Sequence, residues 1–244
     1  MACQAAPYLS VVVPIHDESE SIEPLYAEIF ACLGDLAGGI ELLLIDDGSR
    51  DDSLELMRKI AAVDRRVRVL ALDHRCGQSV ALEAGFRAAR GEITATLDGD
   101  LQNDPADIAG LLTHLDHADV VNGIRANRRD SWVRKLSSRI GNGFRNWMTR
   151  DRVTDIGCSL RVMRTEYLRD VKLFRGMHRF LPTLLRMQGA RVTEVPVHHR
   201  SRRYGRSKYG IGNRLLTGIV DTLAVCWMQR RFVRYRVDEI ESGE

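Results

Sequence analysis

Short apolar runs alternate with helical periods along the first half of the chain. The apolar runs lie at residues 9–14, 40–45, 67–72, 93–97 and 119–123. The helical periods lie between them, at about residues 22–33, 52–62, 78–90 and 105–117. Alternation of this kind is typical of βαβ units. We therefore predict an α/β fold with a mostly parallel sheet flanked by helices.

The second half has a less regular pattern. It predicts a basic helix at about 132–148, then the stretch 155–164, which ends in a strand, a helix at about 178–188, a second strand at 191–199 and a last helix at about 213–232. The last helix contains an apolar run of only 14 residues, "LLTGIVDTLAVCWM", which is interrupted by Asp221. A bilayer crossing needs about 20 residues, so we predict that this helix does not span a membrane. Its basic continuation "QRRFVRYR" suits an amphipathic helix at a lipid surface, and packing in the core or in a dimer fits equally well.

Charge divides the chain into an acidic and a basic half. Residues 1–124 contain 9 Lys and Arg against 22 Asp and Glu, whereas residues 125–244 contain 27 against 11. This imbalance indicates that the second half meets an anionic partner. The five cysteines are scattered without CxxC spacing, and the first residues lack the pattern of a signal peptide. The cysteine pattern favours a reducing compartment and argues against a thiolate zinc site. The first residues favour a cytoplasmic location.

Polar clusters follow four of the predicted strands, at the point where each strand ends. They are "HDE" at 16–18, "DDGS" at 46–49, "DHRCGQ" at 73–78 and "DGD" at 98–100. Ligands of open parallel sheets bind beyond the carboxyl ends of the strands. We therefore predict the functional site at this edge of the sheet.

The "DGD" cluster is a candidate site for a divalent cation. In extended backbone the side chains of Asp98 and Asp100 point to the same side, so both carboxylates can face one ion. Mg²⁺ or Mn²⁺ suits such ligands together with substrate phosphates, and Gln102 can add a neutral oxygen. The alternative for a motif of this kind is a turn in which aspartates accept backbone N–H groups. We assign that role to Asp104, which precedes Pro105 and the next helix.

A nucleoside diphosphate fits the strand-end clusters. Glu18 and Asp47 can accept hydrogen bonds from ribose hydroxyls or from a base N–H, while the metal holds the diphosphate. The chain contains no GxxxxGK[ST] pattern and no GxGxxG after the first strand. These absences argue against a P-loop protein and a dinucleotide-binding protein.

Six pieces of the sequence resemble, in order, those of the family 2 glycosyltransferases of the GT-A fold. They are "VVVPIHDE", "LLLIDDGSRDDS", "DGDLQNDP", "RKLSS", "DIGCSLRVMR" and "EVPVHHRSRRYGRSKYG". The chain is similar in particular to the polyprenyl-phosphate branch, which includes dolichol-phosphate mannose synthase and bacterial undecaprenyl-phosphate sugar transferases. The resemblance covers nearly the whole chain and implies a Rossmann-like GT-A domain. In "PIHDE" the chain departs from its relatives, which usually have Tyr-Asn or a similar pair before the Glu, so the contacts of His16 and Asp17 stay open.

The resemblance implies three sets of site residues. The metal ligands are Asp98, Asp100 and Gln102. The nucleotide-sugar set is Pro14, Glu18, Asp47 and Asp98, with Arg202 and Lys208 from an "RxxGxSK" loop that closes over the diphosphate. The acceptor-phosphate set is Arg125, Arg134 and Ser138.

A lipid monophosphate acceptor is already an anion, so it needs cations that position it and no general base. We accordingly expect the chemistry to depend on Asp100, Arg125, Arg134 and Asp155. Asp155 either orients the acceptor or an arginine, or caps its own turn. His198 and His199 are expected to be structural, and His178 is expected either to pack in its helix or to contact the sugar.

The sequence thus predicts metal-dependent, inverting transfer of one hexose from a UDP- or GDP-sugar to a polyprenyl phosphate at the cytoplasmic face of the membrane. Residues 1–210 form the GT-A domain, with a donor and metal half at 1–124 and an acceptor half at 125–210. Residues 211–244 form an amphipathic, membrane-proximal helix and tail. We expect a peripheral membrane protein, which acts alone, as a homo-oligomer or with a membrane protein.

Three alternatives remain open. A hydroxyl acceptor is compatible with the same fold, but it requires a general base that the sequence does not identify. A nucleotidyltransferase would need a basic, glycine-rich loop after the first strand, where "PIHDESE" is acidic. A basic module that binds nucleic acid would leave the acidic clusters unexplained, because they would repel a phosphate backbone.

Overall fold

The computed structural model describes residues 6–126, 143–203 and 214–234, and the side chains of 214–216 are not included. Within these ranges seven strands form one sheet: β1 Leu9–Ile15, β2 Ile40–Asp46, β3 Val67–Ala71, β4 Ile93–Thr96, β5 Val120–Arg125, β6 Arg161–Arg164 and β7 Val192–Val197. The helices are α1 Ser19–Leu33, α2 Ser53–Val63, α3 Gln78–Ala88, α4 Asp107–Leu112, α5 at 143–149, α6 Leu181–Gln188 and α7 Arg214–Arg231. Short 3-10 helices follow α4 and precede α6, at Thr113–Asp116 and Met177–Phe180.

The strand order is β3-β2-β1-β4-β6-β5-β7, and β6 runs antiparallel to both of its neighbours. The other paired strands run parallel. This arrangement confirms the predicted α/β fold with a mostly parallel sheet. Part of the predicted basic helix and the residues Arg134, Ser138 and Lys208 lie outside the described ranges.

The central strands are buried on both faces because helices cover both sides of the sheet. Val11 and Val13 of β1 belong to one hydrophobic cluster, which also contains the apolar faces of α1 and α2. Val12, between them, belongs to a second cluster with α3 and α6. Alternate residues of a strand point to opposite faces, so a strand buried on both faces is apolar without interruption. This explains why "VVV" at 11–13 lacks the alternating polar residues of a strand with one exposed face.

Strand β6 determines which residues meet at the carboxyl end of the sheet. Because β6 is antiparallel, its first residue, Arg161, pairs with Thr96 of β4 and with Asn122 of β5. The turn at 155–160, which precedes β6, therefore lies at the same edge as the ends of β4 and β5. The acidic half and the basic half of the chain meet there.

Helix α7 packs against the domain through one face. Thr222, Val225 and Cys226 are buried, and Gln229 donates a hydrogen bond from Nε2 to the main-chain oxygen of Thr149 (2.8 Å). The opposite face exposes apolar side chains, of which Trp227 is 64% exposed. No helix among the described residues is both long and apolar enough to cross a bilayer.

Helix α3 approaches β1 closely at Gly85. A Cβ atom at this position would lie 2.3 Å from Cγ1 of Val12 and 3.3 Å from Cγ1 of Ile45. Gly110 of α4 is an instructive contrast, because a Cβ atom there would meet nothing within 4 Å.

We expect Gly85→Ala to lower the free energy of unfolding by about 1–3 kcal/mol, because the added methyl group overpacks the contact between α3 and the sheet. Gly110→Ala should raise it by about 0.5–1 kcal/mol, because alanine loses less backbone entropy in a helix. Urea unfolding of both variants measures the difference. Equal effects of the two substitutions would contradict this account of the packing.

Candidate functional site

A cavity of about 150 Å³ opens at the carboxyl ends of β1, β2 and β4. Its lining includes six of the residues predicted for the site: Pro14, Glu18, Asp47, Asp98, Asp100 and Arg202. Five of them come from the acidic half of the chain and one comes from the basic half. The strand-end clusters therefore converge on one cavity.

β4 ends at Thr96 and a turn at 99–100 follows, so Asp98 and Asp100 are brought together by a turn and not by the continuous strand assumed from the sequence. Asp98 is half-buried, and Asp100 is only 7% exposed. Burial and the negative charge of Asp100 raise the pKa of Asp98. Two carboxylates held in this way attract a cation.

The turn contains one strained residue. Leu101 is buried and has a left-handed backbone conformation, with φ at 61°. Side chains other than glycine adopt this region rarely, and such outliers concentrate at functional sites. No local pattern indicates this conformation, because "DGDL" does not show which residue turns the chain.

Each of the two aspartates has a polar partner. Gln78 donates from Nε2 to Oδ1 of Asp98 (2.7 Å). Oδ2 of Asp100 accepts from Nη2 of Arg202 (2.7 Å), and its Oδ1 accepts from the backbone N–H of Gln102 (3.1 Å). The guanidinium of Arg202 thus already contacts Asp100. The carboxylate oxygens of Asp98 and Asp100 are hard ligands. This donor set fits Mg²⁺ or Mn²⁺.

Gln102 is not among the residues that line the cavity. Its side-chain Nε2 donates to the main-chain oxygen of Arg200 (3.3 Å), so the amide connects the turn to the 200–203 segment. Asp104, also outside the cavity lining, accepts from the backbone N–H of Ala106 (3.1 Å) and pairs with Arg200. The turn-capping role expected for Asp104 is therefore present.

Asp47 lines the cavity, but its carboxylate holds the neighbouring loop. It is buried and accepts hydrogen bonds from the backbone N–H groups of Cys76 (2.7 Å) and Gly77 (2.8 Å and 3.0 Å). The loop after β3 is fixed in this way against the end of β2. A wider cavity of about 520 Å³ adjoins the first and shares His16 and Arg75 with it.

Arg125 and Asp155 form a two-pronged ion pair. Nε and Nη2 of Arg125 each lie 2.8 Å from an oxygen of Asp155. The carboxylate also accepts from the backbone N–H groups of Arg125 (3.2 Å) and Gly157 (3.1 Å). A Cβ atom at Gly157 would lie 2.5 Å from Nη2 of Arg125, so a side chain there would displace the guanidinium from its present position. Asp155 therefore both orients an arginine and caps its turn.

Arg161 links the two halves of the site and was not singled out from the sequence. It is almost fully buried and donates to Oδ1 of Asn122 (2.8 Å) and to the main-chain oxygens of Ile156 and His178 (3.2 Å each). Burial lowers its pKa, while the negative charges of Asp98 and Asp155 act in the opposite direction. The feature that could have identified Arg161 from the sequence is its position at the start of a predicted strand, which became β6.

The histidines have structural contacts. His178 is paired through Nδ1 with Oγ of Ser79 (2.8 Å), and burial lowers its pKa to about 3. It is therefore neutral at physiological pH. His198 is exposed and pairs with Asp107 (2.7 Å), and His199 forms a β-bridge with Asn103.

Comparisons with known proteins agree with this architecture. The chain is 38% identical over 234 residues to a dodecaprenyl-phosphate galacturonate synthase of Rhizobium johnstonii, over 93% of this chain and 68% of the relative. It is 38% identical over 206 residues to an undecaprenyl-phosphate 4-deoxy-4-formamido-L-arabinose transferase of Aeromonas hydrophila, over 83% of this chain and 63% of that protein. The chain thus spans about two thirds of the length of these relatives. Both carry names of polyprenyl-phosphate sugar transferases, as the sequence resemblance predicted.

Solved structures share the fold. A glucosyl-3-phosphoglycerate synthase of Mycobacterium tuberculosis, in complex with Mn²⁺, UDP and phosphoglyceric acid, aligns with a TM-score of 0.65 at 20% identity, over 93% of this chain and 79% of that one. A mannosyltransferase of Pyrobaculum calidifontis, in complex with GDP-Man and Mn²⁺, aligns with a TM-score of 0.64 at 18% identity, over 96% and 67%. The family model of glycosyl transferase family 2 matches residues 10–172. With its cavity at the carboxyl ends of a GT-A sheet, this chain belongs to glycosyl transferase family 2.

Proposed function

We propose that this glycosyltransferase moves one hexose from a nucleotide-diphosphate sugar to a polyprenyl phosphate. The observation that carries the proposal is that the acidic pair Asp98 and Asp100 lines the cavity, while Arg125, paired with Asp155, lies at the same edge of the sheet and its charge acts on Asp98. The names of the curated relatives support the choice of acceptor. The donor is a UDP- or a GDP-sugar.

On the donor side, Asp98 and Asp100 would hold a Mg²⁺ or Mn²⁺ ion. When bound, the ion offsets the negative charge that develops on the departing nucleoside diphosphate. Pro14, Glu18 and Asp47 would frame the nucleoside, while Arg202, with Lys208 of the same loop, would contact the diphosphate. A guanidinium suits this task because its planar fork matches phosphate oxygens.

On the acceptor side, the lipid phosphate is itself the nucleophile. Arg125 would bind it, together with Arg134 and Ser138, and Asp155 would hold the guanidinium of Arg125 in one orientation. The phosphate oxygen then attacks the anomeric carbon from the side opposite the diphosphate, which inverts the configuration. No side chain has to remove a proton, because the phosphate is already charged.

The outer face of α7 suits a peripheral position on the membrane that carries the acceptor. Ile219, Val220, Leu223 and Trp227 are exposed along one stripe of the helix, and Arg230 and Arg231 are exposed at its end. Apolar side chains beside arginines fit the interface between acyl chains and anionic head groups. We place the protein on the cytoplasmic face, where it would meet both substrates.

We expect Asp100→Asn to lower the release of nucleoside diphosphate by at least about 100-fold, since a metal ligand is lost. The assay uses Mn²⁺ or Mg²⁺ and a panel of UDP- and GDP-sugars, each with and without undecaprenyl phosphate. Asp104→Asn is the matched control, because Asp104 belongs to the same segment but not to the cavity. Release that does not depend on the lipid would contradict the proposed acceptor, and release by Asp100→Asn at the wild-type rate would contradict the proposed metal site.

Asp155→Asn should raise the KM for the lipid phosphate about tenfold or more and leave the KM for the donor nearly unchanged, because Arg125 loses its orientation. Asp119→Asn is the control, since Asp119 forms an equivalent two-pronged pair with Arg191 at the opposite end of β5 (3.1 Å and 3.0 Å). Initial rates at varied lipid and donor concentrations give both constants. An equal rise of the lipid KM in the two variants would assign Asp155 a purely structural role.

The double variant Leu223→Glu/Trp227→Glu should bind vesicles containing phosphatidylglycerol at least about tenfold more weakly than the wild type, because it loses apolar burial and gains negative charge. Val63→Glu, which alters an exposed apolar residue on α2, should bind like the wild type. Cosedimentation with vesicles measures both. Unchanged vesicle binding together with a halved molecular mass in solution would identify the stripe as a dimer surface instead.

A further inference from the structure

Arg202 bridges two carboxylates across the mouth of the cavity. Its Nη1 lies 3.1 Å from Oε1 of Glu18, and its Nη2 lies 2.7 Å from Oδ2 of Asp100. Glu18 follows the end of β1, and Asp100 follows the end of β4. The guanidinium therefore holds together two walls of the cavity from the side of the 200–203 segment.

Arg200, two residues earlier, forms a similar bridge outside the cavity. Its Nη1 lies 2.6 Å from Oε2 of Glu28, and its Nη2 lies 2.6 Å from Oδ2 of Asp104. Its backbone N–H also donates to the main-chain oxygen of Gln102 (2.8 Å). Arg200 thus anchors the segment by side chain and backbone, so the contacts of Arg202 can change while the segment stays attached.

The bridge leaves no oxygen of Asp100 without a hydrogen-bond donor. Oδ1 accepts from the backbone N–H of Gln102 within the turn, and Oδ2 accepts from Arg202. A divalent ion that binds Oδ2 has to displace the guanidinium, which then needs another anion. Glu18 alone offers it one carboxylate, whereas a diphosphate offers several oxygens in the geometry that a guanidinium prefers.

We infer that Arg202 competes with the divalent metal ion for Asp100 in the nucleotide-free protein, so that the metal and the nucleoside diphosphate are taken up together. This inference rests on the proposed function, in which Asp100 is a metal ligand. On binding of the metal–nucleotide complex, Arg202 moves from the two carboxylates to the diphosphate. The same arginine therefore opposes the metal alone and favours the metal with its nucleotide.

The inference requires a thermodynamic coupling between the two ligands. A nucleoside diphosphate that takes Arg202 away from Asp100 must tighten metal binding, and the metal must tighten nucleotide binding by the same factor. A variant without the guanidinium loses the competition with the metal ion for Asp100. It also loses the relief of that competition by the nucleotide. The coupling factor should then fall, whatever sugar or lipid the enzyme uses.

The test is the binding of Mn²⁺ to the full chain, followed by the electron paramagnetic resonance signal of the unbound ion, without nucleotide and with UDP or GDP. Without nucleotide, we expect Arg202→Met to bind Mn²⁺ about tenfold more tightly than the wild type, within the usual range of coupling between sites. The factor by which UDP or GDP tightens Mn²⁺ binding should be smaller in this variant. Arg202→Lys, which keeps the charge, should stay near the wild type.

Arg200→Met is the matched control, because it also removes an arginine that bridges two carboxylates, but outside the cavity. It should leave the nucleotide-free affinity for Mn²⁺ unchanged, because the hydrogen bonds between the backbone of Arg200 and Gln102 still hold the segment in place. Equal or weaker Mn²⁺ binding by Arg202→Met would overturn the inference, as would a wild type whose Mn²⁺ affinity responds to neither nucleotide. Mn²⁺ binding that is the same in Asp100→Asn and in the wild type would instead show that the proposed metal site itself is wrong.

Discussion

The repulsion between Asp98 and Asp100 is the constraint around which the cavity is arranged. The turn that brings them together includes a left-handed residue, Leu101, and burial raises the pKa of Asp98. The protein offsets this cost with donors from separate elements, Gln78 at the start of α3 and Arg202 beyond β7. The pocket thus depends on contacts between parts of the chain that are far apart in sequence.

The antiparallel strand β6 joins the two halves of the enzyme. It lies between β4, which leads to the acidic turn, and β5, which ends at Arg125. Its first residue, Arg161, is buried between the two sides and interacts with the charges of Asp98 and Asp155. The opposite net charges of the two halves of the chain are therefore brought face to face at one edge of the sheet.

The order of strands and helices was predictable because uninterrupted apolar runs leave few alternatives, and the cavity position followed from the strand ends. The contacts of individual side chains were harder to predict from the sequence. For Asp47, the structure adds a contact that no local pattern encodes, because its carboxylate holds the backbone of Cys76 and Gly77, about 30 residues away. The sequence did not distinguish Arg161 from the many other arginines, because its burial depends on the direction of β6. The predicted roles of Arg134, Ser138 and Lys208 remain predictions from resemblance.

The contact between Asp47 and the loop after β3 has a consequence for which positions of that loop can vary. Since Asp47 holds that loop only through backbone N–H groups, the side chains at 73–76 are not needed for the attachment. Asp73 and His74 are exposed and border the wider cavity. Substitutions of these side chains can therefore change the border of the wider cavity while the loop stays attached to the sheet.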